Sequence, residues 1–526
     1  IITETPGIHT MTLELGKEWS LQEILTDDKT YTALKTAGLG DDAQVPAKVQ
    51  LIKKIAEALN SLESGNPSAV ALHWIPGRIE VAGKHTDYAG GRSLLCAVPR
   101  GFLALVRKRS DRQCRVLTLD PSVDDRVVQF HLEEKEGAST PRLGHWSRYI
   151  RVALKRIASN FPGLSGADIA FGSDLPGASG MSSSSAIVCL AFLALDYANE
   201  SAGGSLRNRA EFMRSIPDDS ALYEYLGCLE NGKSYGALHG DAGVGTFGGS
   251  EDHTAIMASC TDNLKVFSFC PTTFELYVPF SSHRFVFVVA VSGVLAEKTR
   301  DANADYNNAS AEASSCARRL GCSTLGEALT LHGGVSACKA ALCHGSFGEA
   351  SFGAGEAGNL LAPGSNLTAM TGRLEQFATE SEAVVPGLAA AIQCGDAAAC
   401  GKWASLSQRN SDSLLGNIME ATRWLPRRAR HLGACAASAF GAGFGGSVWA
   451  LVEVSPATSV ESGGAPFSSK GASSPCAVEE TAAAAPGSCL GRSRALQSGE
   501  VFAAKWREDY ARAFPENTER AQFFAM

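Results

Sequence analysis

The chain has 526 residues, enough for two or three core-bearing domains. A hydrophobic content of 45% with 19% charged residues fits a globular class and excludes a disordered or fibrous chain. The formal charge of −8, from 47 basic against 55 acidic residues, supplies no basic field for nucleic acid or an anionic membrane. An anionic ligand would need a local basic site.

The fifteen cysteines include no Cys-x-x-Cys pair, and Cys338 with Cys343 or Cys394 with Cys400 lacks metal-ligand spacing. His344 adds one lone donor, so buried reduced thiols are expected. No apolar run approaches the ~18–20 residues of a membrane span, and residues 1–17 have no basic stretch followed by an apolar core. A cytoplasmic protein is expected, and a start at Ile1 leaves room for an upstream segment.

In chain order, residues 1–66 read as an extension with one leading helix. Val49, Ile52, Ile55, Leu59 and Leu62 recur at helical spacing over Ala47 to Leu62, ahead of a polar break at residues 63–67. Short strands are predicted at 70–74 and 79–83 around a Pro76-Gly77 turn, then at 102–106 and 116–119. A helix over 146–157 and a strand over 167–171 lead to a Gly/Ser-rich loop, which opens an apolar helix over 186–197. The Val- and Phe-rich run 284–291 reads as a buried strand and opens a second domain, so the expected domains are 67–283 and 284–526. The second is largely helical, with a strand at 447–454. Residues 455–497, rich in Ser, Ala, Gly and Pro, show no period and read as a low-complexity insertion before a terminal helix over 501–514.

Three segments carry chemistry: Pro76-Gly77-Arg78-Ile79-Glu80-Val81-Ala82-Gly83-Lys84-His85-Thr86-Asp87-Tyr88, Gly177-Ala178-Ser179-Gly180-Met181-Ser182-Ser183-Ser184-Ser185-Ala186, and Gly441-Ala442-Gly443-Phe444-Gly445-Gly446. The second lets backbone N–H groups approach a ligand and feeds a helix N-terminus, a combination that suits polyphosphate. Its hydroxyls offer oxygen ligands to Mg²⁺. The plainer explanation is a helix cap, which needs one hydroxyl rather than four. Gly227-Cys228-Leu229-Glu230-Asn231-Gly232-Lys233-Ser234 formally satisfies the P-loop pattern. Its context fails: residues 220–229 are helix-like where a strand is required, and Glu230 would put a negative charge inside the phosphate cradle.

In this order the three segments resemble the signature motifs of the GHMP small-molecule kinases, over most of the chain from about Val70 to Phe514. Arg78 followed by Gly-x-His-Thr-Asp-Tyr is similar to the galactokinase branch rather than to mevalonate or homoserine kinases. Leu175-Pro176, Ser292-Gly293-Val294 and Tyr306-Asn307 agree. The resemblance implies a two-domain α+β GHMP kinase fold, with a ribosomal protein S5-like N-terminal domain, a ferredoxin-like C-terminal domain and the site in the cleft between them. It implies ATP and Mg²⁺ as cofactors and a small-molecule sugar as partner. A monomer is expected, with no nucleic acid or membrane partner.

Carried over by residue, the resemblance puts Arg78 beside the reacting hydroxyl, His85 and Asp87 on sugar hydroxyls, and Tyr306 against the sugar. Asp252 matches the catalytic aspartate, with Asp241 as rival base in the apparent insertion 234–246. ATP falls to Gly177, Ala178, Ser179, Gly180, Met181, Ser182, Ser183, Ser184, Gly443 and Gly445. Mg²⁺ falls to Ser184, with Ser183 as neighbouring alternative, and to Glu230. An aspartate in reach of a sugar hydroxyl can orient it and accept its proton, and Arg78 would offset charge on the transferred group. Arg78 with Asp87 as a surface ion pair, and Asp252 as a helix N-cap, are the plainer alternatives. Three departures stand out: no basic pair follows Tyr306, Ser185 replaces an Ala, and Lys84 replaces the usual Glu. A lysine would contact the substrate at position 84, either as a donor to the same hydroxyl or as a partner for a carboxylate. Galactose phosphorylated at its anomeric hydroxyl is the first reading. A 1-kinase for a uronic acid and a catalytically silent sugar and ATP sensor are the alternatives.

Overall fold

The computed structural model describes residues 13–526 apart from 27–28, 41–43, 63–68, 135–140, 142–144, 178, 202–203, 260–262, 281–283, 295–302, 345–366 and 455–487. In chain order the strands are β1 (Leu13–Trp19), β2 (Val70–Ala82), β3 (Arg92–Lys108), β4 (Gln113–Thr118), β5 (Val127–His131), β6 (Ala167–Ser173), β7 (Asn263–Ser268), β8 (Thr273–Pro279), β9 (Phe285–Val291), β10 (Ala436–Phe440), β11 (Ser447–Glu453) and β12 (Gln522–Ala525). The helices of the first part are α1 (Leu21–Thr26), α2 (Lys29–Thr36), α3 (Val45–Leu62), α4 (Trp146–Asn160), α5 (Ser183–Ala198), α6 (Ala210–Ser215), α7 (Asp219–Asn231) and α8 (Glu251–Ala258). Those of the second are α9 (Asn303–Arg319), α10 (Leu325–His332), α11 (Val335–His344), α12 (Leu367–Thr379), α13 (Val385–Cys394), α14 (Ala397–Asn410), α15 (Glu420–His431) and α16 (Ser488–Ala513). π-Helical turns at Glu380–Val384 and Ser411–Leu415 follow α12 and α14.

Among the described residues two sheets form. The first has eight strands in the order β1-β2-β3-β6-β4-β5, with β7 on β3 and β8 on β7; the second runs β10-β11-β9-β12. The first lies within residues 13–279 and the second within 285–525. β2 is buried at every position. Its residues alternate between two layers: Ala71 and Ile75 meet the cluster of α4, α5 and α7, while Leu72 and Trp74 meet Ile52, Ile55 and Leu59 of α3. Helices on both faces explain why the strand reads as a continuous apolar run. Further along, Ile79, Val81 and Cys96 share a cluster with Phe287, Trp449 and Leu451, so apolar packing joins the two sheets directly. Trp506 and Tyr510 of α16 cover the other side of the second sheet, and the Tyr510 hydroxyl donates to Ser292 O at 2.6 Å.

Several expectations change. The described part of the expected extension, within residues 13–62, is not appended, because β1 pairs with β2 and α3 packs on the sheet. The two strands predicted around Pro76-Gly77 are one strand, β2. Pro76 pairs with Gly101 and Arg78 with Ala97, so β3 absorbs two extra residues as a bulge where a turn was expected. The terminal helix begins at Ser488 rather than 501, so residues 488–497 of the expected insertion are helical; 455–487 lie outside the described residues. Gly227 sits mid-helix in α7, which confirms that the P-loop pattern has no strand before it. Cys96, Cys114, Cys189 and Cys338 are buried free thiols. No helix among the described residues is long and apolar enough to cross a membrane.

One buried ionic cluster ties three strands of the first sheet. Asp168 on β6, 1% exposed, accepts from Arg107 at 2.8 Å, Arg115 at 2.7 Å and Arg109 at 3.1 Å. Removing the charge leaves buried guanidinium groups uncompensated, so Asp168→Asn is expected to destabilise by ~3 kcal/mol or more. The measurement is the urea midpoint, which should fall at an unchanged slope.

Candidate active site

Arg78 rides on a strand buried on both faces, and its side chain is 2% exposed. Nε and Nη2 donate to Asp252 Oδ1 at 2.8 and 2.5 Å, and Nη1 donates to Gly180 O at 2.7 Å. Burial opposes the guanidinium charge, but Asp252, Glu251 and Glu80 outweigh it and raise the Arg78 pKa. Asp252 stands in the first turn of α8 and is not its cap, a position held by Ser250. Neither a surface ion pair for Arg78 nor an N-cap for Asp252 describes this geometry.

A polar cavity opens beside this pair, lined by His85, Asp87, Glu230, Glu251 and Tyr306 among others. His85, at φ 58°, sets Nε2 2.9 Å from Ala442 O and Nδ1 2.7 Å from the Tyr88 hydroxyl. In the neutral ring, Nε2–H donates to the carbonyl and Nδ1 accepts from the tyrosine. The Tyr306 ring lies 5.7 Å from that of His85. Glu251 accepts from Ser93 Oγ at 2.5 Å; burial, with Glu80 and Asp87 adding to it, pushes its pKa well up. Asp87 approaches a backbone bare of side chain: a Cβ on Gly249 would fall 2.4 Å from Asp87 Oδ2.

Lys84 departs from its expected role. Its side chain is 1% exposed, is not part of the cavity lining, and donates to Ser407 Oγ at 3.0 Å and Ser438 Oγ at 2.7 Å. It therefore contacts the second half of the chain and not the cavity. The cause is local: Lys84 follows Gly83 (φ 118°), where the chain leaves β2 against the second body.

The serine loop meets the cavity from the other side. Ser182, at φ 61°, precedes α5 without making a side-chain cap bond, and the hydroxyls of Ser179 and Ser182 are buried without hydrogen-bond partners. Unpaired buried donors at a helix N-terminus suit phosphate oxygens. Ala178 lies outside the described residues; Gly177, Ser179, Gly180, Met181, Ser182 and Ser183 lead into α5. Ser184 is half-buried, and the hydroxyl that reaches Glu230 is that of Ser185, donating to Oε2 at 2.7 Å and lying 3.4 Å from Asp252 Oδ2. Each helical step rotates the side chain by about 100°, which turns Ser185 toward α7 and α8 where Ser184 cannot face them. This all-oxygen set fits Mg²⁺ of the kind that also takes substrate phosphates. Among the described residues no group of three or more His, Cys, Asp or Glu could hold a metal alone.

The third glycine segment folds over both loops. Gly441 N donates to Glu80 Oε2 at 3.1 Å, and Ser447 Oγ donates to Ser179 O at 2.6 Å. Gly443 and Gly445 press on Asn417 and Val294, where a Cβ would come within 2.4 and 2.8 Å of a carbonyl oxygen. Asp241 is elsewhere: it accepts from Arg156 at 3.2 Å and lines a separate cavity beside α4. The first glycine of the false P-loop has a packing role, since a Cβ at 227 would fall 2.8 Å from Ser250 Cα. That contact brings Glu230 on α7 beside Asp252 on α8. Reading the sequence did not find Ser185, Glu80 or Glu251 as cavity residues; only Glu80 carried a signal, its position two residues after Arg78.

Residues 75–108 match the galactokinase galactose-binding signature, and residues 148–216 match the GHMP kinases N-terminal domain. Over these stretches the chain is similar to the galactokinase branch of the GHMP kinases. It is 36% identical over 121 residues to a galactokinase of Actinobacillus pleuropneumoniae, covering 23% of this chain and 30% of that protein. A Glaesserella parasuis galactokinase is 36% identical over 113 residues, 21% of this chain and 28% of its own. The chain thus matches under a third of the length of these curated relatives. The Lactococcus lactis galactokinase, solved with galactose, has the same fold, with a TM-score of 0.61 and 18% identity over 89% of this chain and 96% of that one. The galactose-binding signature covers the second part of β2 and all of β3, and the GHMP domain match covers the serine loop, so Arg78, His85, Asp87 and Ser185 all fall within matched stretches.

Burial pushes the Glu80 carboxyl up to about 8, against Arg78 and Lys84, which pull it down. Between its ordinary 4.5 and that value the folded chain holds a proton that the unfolded chain has released, so stability falls as pH rises across this window. Glu80→Gln should flatten that fall, read as urea midpoints at pH 5, 6.5 and 8.

Proposed function

We propose that this chain is an ATP-dependent sugar kinase that phosphorylates the anomeric hydroxyl of galactose. The observation that carries the reading is the buried Arg78–Asp252 pair between a cavity of hydroxyl-binding groups and the N-terminus of α5. The signature over residues 75–108 supports galactose as the sugar.

In this reading Asp252 accepts the proton of the reacting hydroxyl and holds the oxygen toward the phosphate. Arg78 offsets the charge that grows on the transferred group, a task suited to a fixed cation in a site sheltered from water. Asp87 binds the remaining hydroxyls, His85 walls the cavity with both ring nitrogens engaged, and Tyr306 packs on the ring. The phosphates lie on the N-terminus of α5, near the unpaired hydroxyls of Ser179 and Ser182. Glu230 and Ser185 would hold Mg²⁺, which when bound would neutralise phosphate charge.

The lining bears on which sugar. Of the five carboxyl groups in the lining, burial keeps Glu80 and Glu251 protonated, and Asp87, Glu230 and Asp252 face Arg78 as the one Lys or Arg in it, with Lys84 turned away. This balance disfavours a uronate, because an added carboxylate would meet repulsion without a partner.

The test is ADP release with Mg²⁺-ATP over galactose, glucuronate and galacturonate. Turnover is expected on galactose alone; activity on a uronate would reverse the charge argument, and activity on none would favour the sensor. Asp252→Ala should remove turnover by ~10³-fold or more while ATP binding stays, as befits a group acting only in the chemical step. Ser185→Ala should raise the Mg²⁺ concentration for half-maximal activity by ~10-fold, and Ser184→Ala by much less.

A further inference from the structure

Outside the cavity, a cluster of buried polar groups lies where the Gly83–Tyr88 turn meets the second half of the chain. Lys84, Arg373, Gln376, Glu380, Ser407 and Ser438 are each at most 1% exposed. Their hydrogen bonds run in one consistent direction. Lys84 Nζ donates to Ser407 Oγ at 3.0 Å, and that hydroxyl donates in turn to Glu380 Oε1 at 2.8 Å. Lys84 Nζ also donates to Ser438 Oγ at 2.7 Å, which donates on to Gln408 Oε1 at 3.2 Å.

The same groups hold the backbone of the turn. Glu380 Oε1 accepts from Gly83 N at 3.0 Å, Gln376 Nε2 donates to Lys84 O at 2.9 Å, and Arg373 donates to His85 O. Arg373, Gln376 and Glu380 recur three and four residues apart, so one face at the end of α12 grips three consecutive residues of the turn. Glu380 Oε2 has no hydrogen-bond partner, so a negative charge on this buried group would be stabilised by a nearby cation. Lys84, one hydroxyl away, is that cation.

We infer that Lys84 and Glu380 form a serine-bridged buried charge pair that positions the Gly83–Tyr88 turn, so that residue 84 orients His85 and Asp87 and does not itself touch the sugar. Lys84 and Glu380 are positioning residues, and the inference rests on the sugar-kinase reading of the cavity. A glutamate at 84 would bring a third carboxyl group beside Glu80 and Glu380 in the same buried region, which explains why a lysine stands there. The pair and the turn form one unit: each partner is costly to bury alone, and together they leave only the neutral bridge.

The experiment is a double-mutant cycle on the full chain with Lys84→Met, Glu380→Gln and the double variant, reading KM for sugar, KM for ATP and kcat. Each single change is expected to raise the sugar KM by ~10-fold and to leave the ATP KM within about twofold; the double should fall at least ~5-fold short of the product of the singles. Ser407→Ala, which removes only the bridge, should raise the sugar KM by ~3-fold or more in a folded protein, and keeps the inference testable if Lys84→Met does not fold. Additive singles, or equal rises in both KM values, overturn it. Should the unaltered chain phosphorylate no sugar, the kinase reading fails separately. The coupling is then read from the urea midpoints of the same four proteins, and additivity there overturns the pair.

Discussion

A buried guanidinium sets the terms for this molecule. Arg78 cannot shed its charge, so the chain must surround it with acceptors, and those come from distant places: Asp252, 174 residues later, and Gly180 O in the serine loop. Satisfying one side chain therefore draws β2, the serine loop and α8 to a common point. Burial first, and after it repulsion within the crowd of carboxyl groups, is why Glu80 and Glu251 hold protons well above the usual carboxylate range. The cavity combines one permanent cation with several weak acids, an environment suited to neutral, hydroxyl-rich ligands.

Much of this was legible in the sequence, for identifiable reasons. The strand β9 and the helices α4 and α5 were found because burial leaves a direct record in apolar pattern. The glycine and serine segments were visible because close approach of backbone to ligand tolerates few residue types. Arg78, His85, Asp87 and Tyr306 all line one cavity.

What stayed hidden depends on rotation or on distance along the chain. Ser184 and Ser185 are indistinguishable by type, and only the start of α5 at Ser183 decides which one faces Glu230. Lys84 was read as a ligand group from its place in the Gly83–Tyr88 segment; its partners Ser407 and Ser438 lie more than 300 residues away and carry no signal of their own. Pro76-Gly77 was read as a turn because its composition says so, yet β3 accommodates the pair by bulging opposite it. The β1 strand was missed because seven residues of mixed polarity have no period, and only pairing with β2 defines them.

The order of the second sheet has a consequence for how the chain is built. β9, its inner strand, is made early, but its neighbour on one side, β11, follows about 150 residues later, and β12 on the other side includes Ala525. During synthesis the first sheet can close while β9 still lacks both partners and exposes a strand of Val and Phe. Such a strand is an aggregation hazard until covered. The apolar faces of Ile79, Val81 and Cys96 on the finished first sheet are the surface available to shelter it, since they already share its cluster in the folded chain. The packing that later joins the two bodies would in this way also act as an internal holding site, protecting the half-made second sheet until its last strand arrives.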